Sequence, residues 1–126
     1  NNISSMSAGC VVLGEVFTAD VAIAHTERGD DFRKSVAAVL LKHDLPLSVS
    51  GFGSMMSLHA LAHAPKTPLD VARRDDKLQE LVFFGLLERG VYIAARGMMN
   101  LSLPLTDDQL AKVLDALEDT LTSLES

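Results

Sequence analysis

Apolar residues recur along the chain in more than one rhythm, and each rhythm predicts an element. Residues 4–17, SSMSAGCVVLGEVF, are small or apolar throughout, with Glu15 the only charge. A run of that length, rich in Ala, Gly and Ser, predicts a helix rather than a strand. FTAD breaks the run, and Thr18 suits the N-cap of a second helix reaching about His43. Val21, Ala24, Phe32, Val36, Val39 and Leu40 fall at helical spacing within it, while Gly29 weakens its middle. Pro46 disfavours helical backbone at Leu45 and so sets the stop.

The rhythm then changes. LSVSGFGSMMSLHALA, residues 47–62, alternates as a strand, a glycine-marked bulge or turn, and a second strand. HAPKTPLD carries two prolines and reads as a loop. Asp70 to Arg89 predicts a helix whose LQELVFFGLLE half is apolar on nearly all sides, which calls for cover on more than one face. Gly90 ends it. VYIAARGMMNLSLP, residues 91–104, reads as two short strands interrupted by Arg96 and Gly97. In the last helix Thr106 and Gln109 form a capping box, with Asp107 and Asp108 at the positive end of the helix dipole. Leu110, Val113, Leu114, Leu117, Leu121 and Leu124 make its apolar stripe. The order is helix, helix, strand, strand, helix, strand, strand, helix. It predicts an α+β fold, a small mainly antiparallel sheet packed against helices.

Composition narrows the function more than the fold. The 126 residues suit one domain, and no apolar run reaches the roughly 20 residues of a membrane span, so no membrane role is expected. The net charge is −6, and residues 107–126 hold six acids against one base, Lys112. That segment reads as a solvated helix face, and the absence of a basic stripe argues against nucleic acid as a partner. The lone Cys10 lies in an apolar run and reads as an inert buried thiol; one cysteine fits a reducing, cytoplasmic setting.

Few residues offer chemistry. His59 and His63 are four apart, but on a strand their rings would sit about 13 Å from each other, too far to share an ion. No metal site is expected. GFGS, residues 51–54, reads as a bulge or tight turn rather than a phosphate loop. Met55–Met56 and Met98–Met99 read as core. Lys34, Lys42, Lys77 and Lys112 fall on polar helix faces and Lys66 in the proline loop, so no lysine is placed to act as a nucleophile. Asp75 and Asp76 read as salt-bridged helix surface. Arg96 is left, at a turn that requires Gly97 but no cation. Either it points to water, or its planar fork meets a carboxylate.

Four stretches in register bear on that choice. NNISSMSAG, LPLSVSGFGSMMSLH, the GVY–strand–RG pattern of KLQELVFFGLLERGVYIAARGMMN, and LSLPLTDDQL together resemble class III pyridoxal-phosphate-dependent aminotransferases. The similarity is to their C-terminal part, in the glutamate-1-semialdehyde aminomutase and β-amino-acid aminotransferase group. The resemblance implies the C-terminal domain of a fold-type I enzyme, with residues 1–17 a helix leading in from a large domain and residues 18–126 the small domain. It implies amino transfer from an amino acid to a 2-oxo acid, or the intramolecular transfer of the aminomutases; a non-catalytic interaction domain of the same fold is the third alternative. In the β-amino-acid branch the arginine of the RG element contacts the substrate carboxylate, and that position is Arg96. The aminomutases do not usually show this RG. The Schiff-base lysine and the phosphate and pyridine contacts of pyridoxal phosphate belong to the large domain. No catalytic or cofactor-binding residue is therefore expected in this chain, which alone should be inactive. The complete enzyme is expected to be a homodimer.

Overall fold

The computed structural model describes residues 2–126. Asn2 caps α1 (Ile3–Val11), which continues through a π-helical turn over Val12–Val16. Thr18 accepts a hydrogen bond from the Val21 N–H and opens α2 (Ala19–Leu40). A tight antiparallel pair follows, β1 (Ser48–Phe52) and β2 (Met55–His59), with Val49 opposite Leu58 and Gly51 opposite Met56. After α3 (Pro68–Val71) and α4 (Asp76–Glu88), β3 (Met98–Asn100) pairs antiparallel with β2 and places Met99 opposite Met56. The chain closes with α5 (Asp107–Leu124), whose Thr106–Gln109 capping box forms as expected. The architecture is α+β, a three-stranded antiparallel sheet in the order β1-β2-β3 with helices over one face.

The core lies between that face and helices α2, α4 and α5. Met56, Leu58 and Met99 meet Phe32, Val36, Leu40, Val82, Leu86, Leu117 and Leu121, all buried. The α5 stripe therefore does what its spacing predicts, with Leu110, Leu117 and Leu121 buried and Val113, Leu114 and Leu124 packed at the edge. Two close backbone approaches tighten the assembly. Gly29 of α2 sits against the backbone of Gly53 in the β1–β2 turn, where no side chain would fit. Asp30 then accepts from the Gly53 N–H at 2.9 Å and from Arg33 at 2.8 Å.

Several expectations need correction. The single helix over 70–89 is two helices: Thr67 and Asp70 form a capping box for α3, and Asp75 restarts the chain as the N-cap of α4. The Asp75 N–H also donates to Ala60 O, which ties the break to the end of β2. Asp76 pairs with Arg74. The 91–104 ribbon has one strand, because Val91–Ala94 meets β3 only through Ala94 N–H to Met98 O. The methionine pairs divide: Met56 and Met99 are core, whereas Met55 is exposed. The LVFFGLL face is covered on one side only, leaving Leu81, Phe84 and Leu87 exposed. Cys10 is exposed too, since α1 buries no residue against the rest of the chain.

The acidic end of the chain is more than a solvated face. Glu125 accepts from His43 Nδ1 at 2.8 Å and from the Asp44 N–H at 2.7 Å, and Glu118 accepts from Lys42 at 2.8 Å. The His43 hydrogen bond, then the Asp44 N–H, holds the Glu125 carboxyl below its ordinary value; the Lys42 ammonium does the same for Glu118. Carboxyls depressed in the fold stabilise it above the ordinary glutamate value, about 4.3, and that contribution is lost as pH falls below it. Glu125→Gln should therefore melt lower than the parent at pH 7, and the two melting temperatures should converge toward pH 3. A gap that persists unchanged at pH 3 would show that the pair acts through something other than charge.

Candidate functional site

Arg96 stands on the turn between Ala94 and Gly97, and Gly97 holds that turn in place. Its N–H donates to Ala94 O at 2.7 Å, and its own carbonyl accepts from the Leu58 N–H at 2.9 Å. Its φ is +95°, a backbone region that glycine alone adopts freely. A Cβ there would run into Leu58 O, so the turn is seated directly on β2. Gln79, buried beneath, accepts from the Ala60 N–H at 3.1 Å and closes the polar account of that β2 end.

The guanidinium itself is exposed, and its one hydrogen bond among the described residues is to Met98 Sδ, at 3.3 Å. Among the described residues it has no carboxylate partner, whereas Arg28, Arg33 and Arg74 each hold an aspartate. It lines a groove of about 800 Å³ between residues 90–102 and the first half of α5. Phe32, Ile93, Met99 and Leu110 floor the groove, and Tyr92, Asn100, Gln109 and Lys112 stand with Arg96 around it. Lys112 and Gln109 carried no functional weight in the sequence; the available signal was Lys112 standing as the one base among six acids. The arrangement can hold an organic anion against an apolar surface.

The remaining candidates do not join this groove. His59 is on the open face of the sheet, where Ser50 Oγ shares a hydrogen bond with its Nε2 at 2.8 Å. Burial, and then the neighbouring Arg74, lower its pKa, so the ring is neutral at pH 7. His63 lies beyond the end of β2 and is exposed. No group of three or more metal-ligating side chains is assembled among the described residues. Gly53–Ser54 forms the tight turn of the β1–β2 pair, with Gly51 and Phe52 still paired in β1. Among the described residues no single helix is long and apolar enough to cross a membrane. All five lysines are exposed, and Lys34 and Lys42 are paired with acids. A pyridoxal phosphate anchor needs a desolvated amine. None of these lysines fits one, so no step of cofactor chemistry is assigned to them.

With this geometry in place, known proteins can be set beside it. No family model matches the chain. A curated relative, beta-phenylalanine transaminase of Variovorax paradoxus, is 34% identical over 117 residues, 93% of this chain and 27% of the relative. The crystal structure of a beta-phenylalanine aminotransferase from that organism superposes with a TM-score of 0.93 at 32% identity, over 99% of this chain and 29% of the other. A glutamate-1-semialdehyde aminomutase from Pseudomonas aeruginosa, in complex with PMP, shares the fold alone, with a TM-score of 0.85 at 21% identity over 98% of this chain and 28% of that one. The chain thus spans about a quarter of the length of the proteins it matches.

The fold is that of a C-terminal domain of a pyridoxal-phosphate-type transaminase. Within that class, the chain is similar in sequence and structure to the C-terminal part of beta-phenylalanine transaminase and shares the fold alone with the corresponding part of a glutamate-1-semialdehyde aminomutase.

Proposed function

We propose that the chain is the small domain of an enzyme that moves an amino group from an amino acid, a β-amino acid among the candidates, to a 2-oxo acid. Arg96 receives the substrate carboxylate. The observation that carries this reading is a guanidinium on a rigid glycine turn, exposed, free of acid partners among the described residues, and at the edge of an apolar groove. Its fork geometry orients a carboxylate through two parallel hydrogen bonds, and such orientation lowers the entropy cost of bringing the amine to the reacting centre.

Pyridoxal phosphate, held by residues outside the small domain, supplies the electron sink in the complete homodimeric enzyme. The chain alone is then inactive. Ile3, Met6, Val11, Val12, Leu13, Val16 and Phe17 are exposed in the N-terminal arm, which suits cover by that large domain. Intramolecular transfer of the aminomutase kind is the second reading, favoured by the shared fold; in it an unmodified 2-oxo acid acceptor would be unnecessary.

In the full-length enzyme, Arg96→Ala should raise KM for the amino donor about tenfold, the weight of one charge-assisted contact, while cofactor affinity holds. Unchanged kinetics would retire the role of Arg96. Amino transfer that proceeds without any 2-oxo acid would favour the aminomutase reading. Pyridoxal phosphate added to the chain alone should give no saturable absorbance band that a single lysine substitution removes; such a band would place the anchor here.

A further inference from the structure

The groove carries a charge pattern that one carboxylate does not use up. Arg96 enters from the turn and Lys112 from α5, and no Asp or Glu lines it among the described residues. This runs against the rest of the molecule, whose net charge is −6 and whose last helix alone holds Asp107, Asp108, Asp115, Glu118 and Asp119. Neither groove cation has a carboxylate partner among the described residues, although Arg28, Arg33, Lys34, Lys42 and Arg74 all do. Gln109, one helical turn before Lys112, commits its Oε1 to the Thr106 N–H at 2.9 Å and keeps its Nε2 hydrogens for another acceptor. The groove is thus rich in donors over an apolar floor, a setting in which two cations face the same space with no anion between them.

We infer that this groove takes an organic acid with two anionic groups, one met by Arg96 and the other by Lys112. The inference rests on the reading of Arg96 as a carboxylate contact and adds Lys112 as a specificity-determining residue. A monoacid engages one cation and leaves the other to solvent. A diacid engages both while its methylene chain lies on Phe32, Ile93, Met99 and Leu110. The flexible four-carbon stem of Lys112 lets it follow the length of that chain, which the rigid turn beneath Arg96 does not.

Titration of the isotopically labelled chain at low ionic strength tests this. Succinate, glutarate and adipate are compared with pentanoate, the one-carboxylate match to glutarate. One diacid is expected to bind about fivefold more tightly than pentanoate, as a part-screened second ion pair allows, with amide shifts at residues 91–102 and 109–113. Lys112→Ala should bring that diacid to about the affinity of pentanoate and weaken pentanoate far less than it weakens the diacid. Lys77→Ala, outside the groove, should alter neither. Equal binding of all four acids by the unsubstituted chain, or a diacid preference that survives Lys112→Ala, overturns the inference. Arg96→Ala addresses the underlying reading separately, since it should abolish pentanoate binding; pentanoate binding that ignores its loss overturns the Arg96 reading itself. Both side chains are exposed, so melting temperatures should match the parent and exclude unfolding as the cause.

Discussion

Gly97→Ala should destabilise the domain by about 3 kcal/mol and lower its melting temperature by roughly 10 °C. Two costs combine. At φ +95° an alanine loses about 1 kcal/mol or more against glycine. The added methyl also meets the Leu58 carbonyl oxygen, a backbone atom fixed in the middle of the sheet, and overpacking of that kind adds about 1–3 kcal/mol. Relief requires the turn to lift from β2, which breaks the Leu58 N–H to Gly97 O bond and carries Arg96 away from its groove. Calorimetry gives the stability; amide shifts of Leu58 and Met98 give the displacement. An alanine variant that melts with the parent would mean the turn is not seated as described.

Gly29→Ala is the second large effect, and here two principles give opposite signs. Helix propensity favours alanine by about 1 kcal/mol in the middle of α2. The Cβ, however, would enter the backbone of Gly53, and neither partner has a flexible side chain end to move aside. Parting them strains the Asp30 to Gly53 hydrogen bond, worth about 1 kcal/mol, and opens the contact between α2 and the β1–β2 turn. Packing should win, with a net loss of about 2 kcal/mol in urea unfolding at unchanged m-value. Gly9→Ala makes the contrast, because nothing lies within 4 Å of its added methyl. That variant should be neutral or slightly stabilised. Equal behaviour of the two would remove the close approach as the explanation for Gly29.

Gly29 also shows where sequence reading runs out. Propensity marks it as a weak point in a helix, and only the fold reveals the turn that passes across it. Local signals fared better. Thr18, the Thr106–Gln109 box and the α5 stripe act within one element, and each forms where its spacing places it. The break between α3 and α4 was readable in principle, since Thr67 with Asp70 and then Asp75 are two N-terminal signals in close succession. The missing ribbon strand was not readable. Alternation predicts an extended backbone, but a strand needs a partner along its length, and Val91–Ala94 reaches β3 through a single bond. Cys10 failed for a similar reason: apolar neighbours predict burial, yet burial needs something to lie over them.

For the site, Arg96 stood out because a cation is costly in an apolar ribbon. Lys112 did not, because a lysine on an amphipathic helix is ordinary. Their meeting at one groove depends on how α5 crosses the ribbon, a tertiary fact that no local pattern encodes.

The 22 residues of α2 make a rod about 33 Å long. One end, with Phe32, Val36 and Leu40, is embedded in the core, and the other is tied through His25 and Arg28 to the Leu101 and Leu105 carbonyls, with Ile23 exposed. The backbone contact at Gly29 lies near the midpoint. A single rod thus meets the 101–105 segment before its midpoint, the β1–β2 turn at it and the core beyond it, so the spacing of the three is set by one helix.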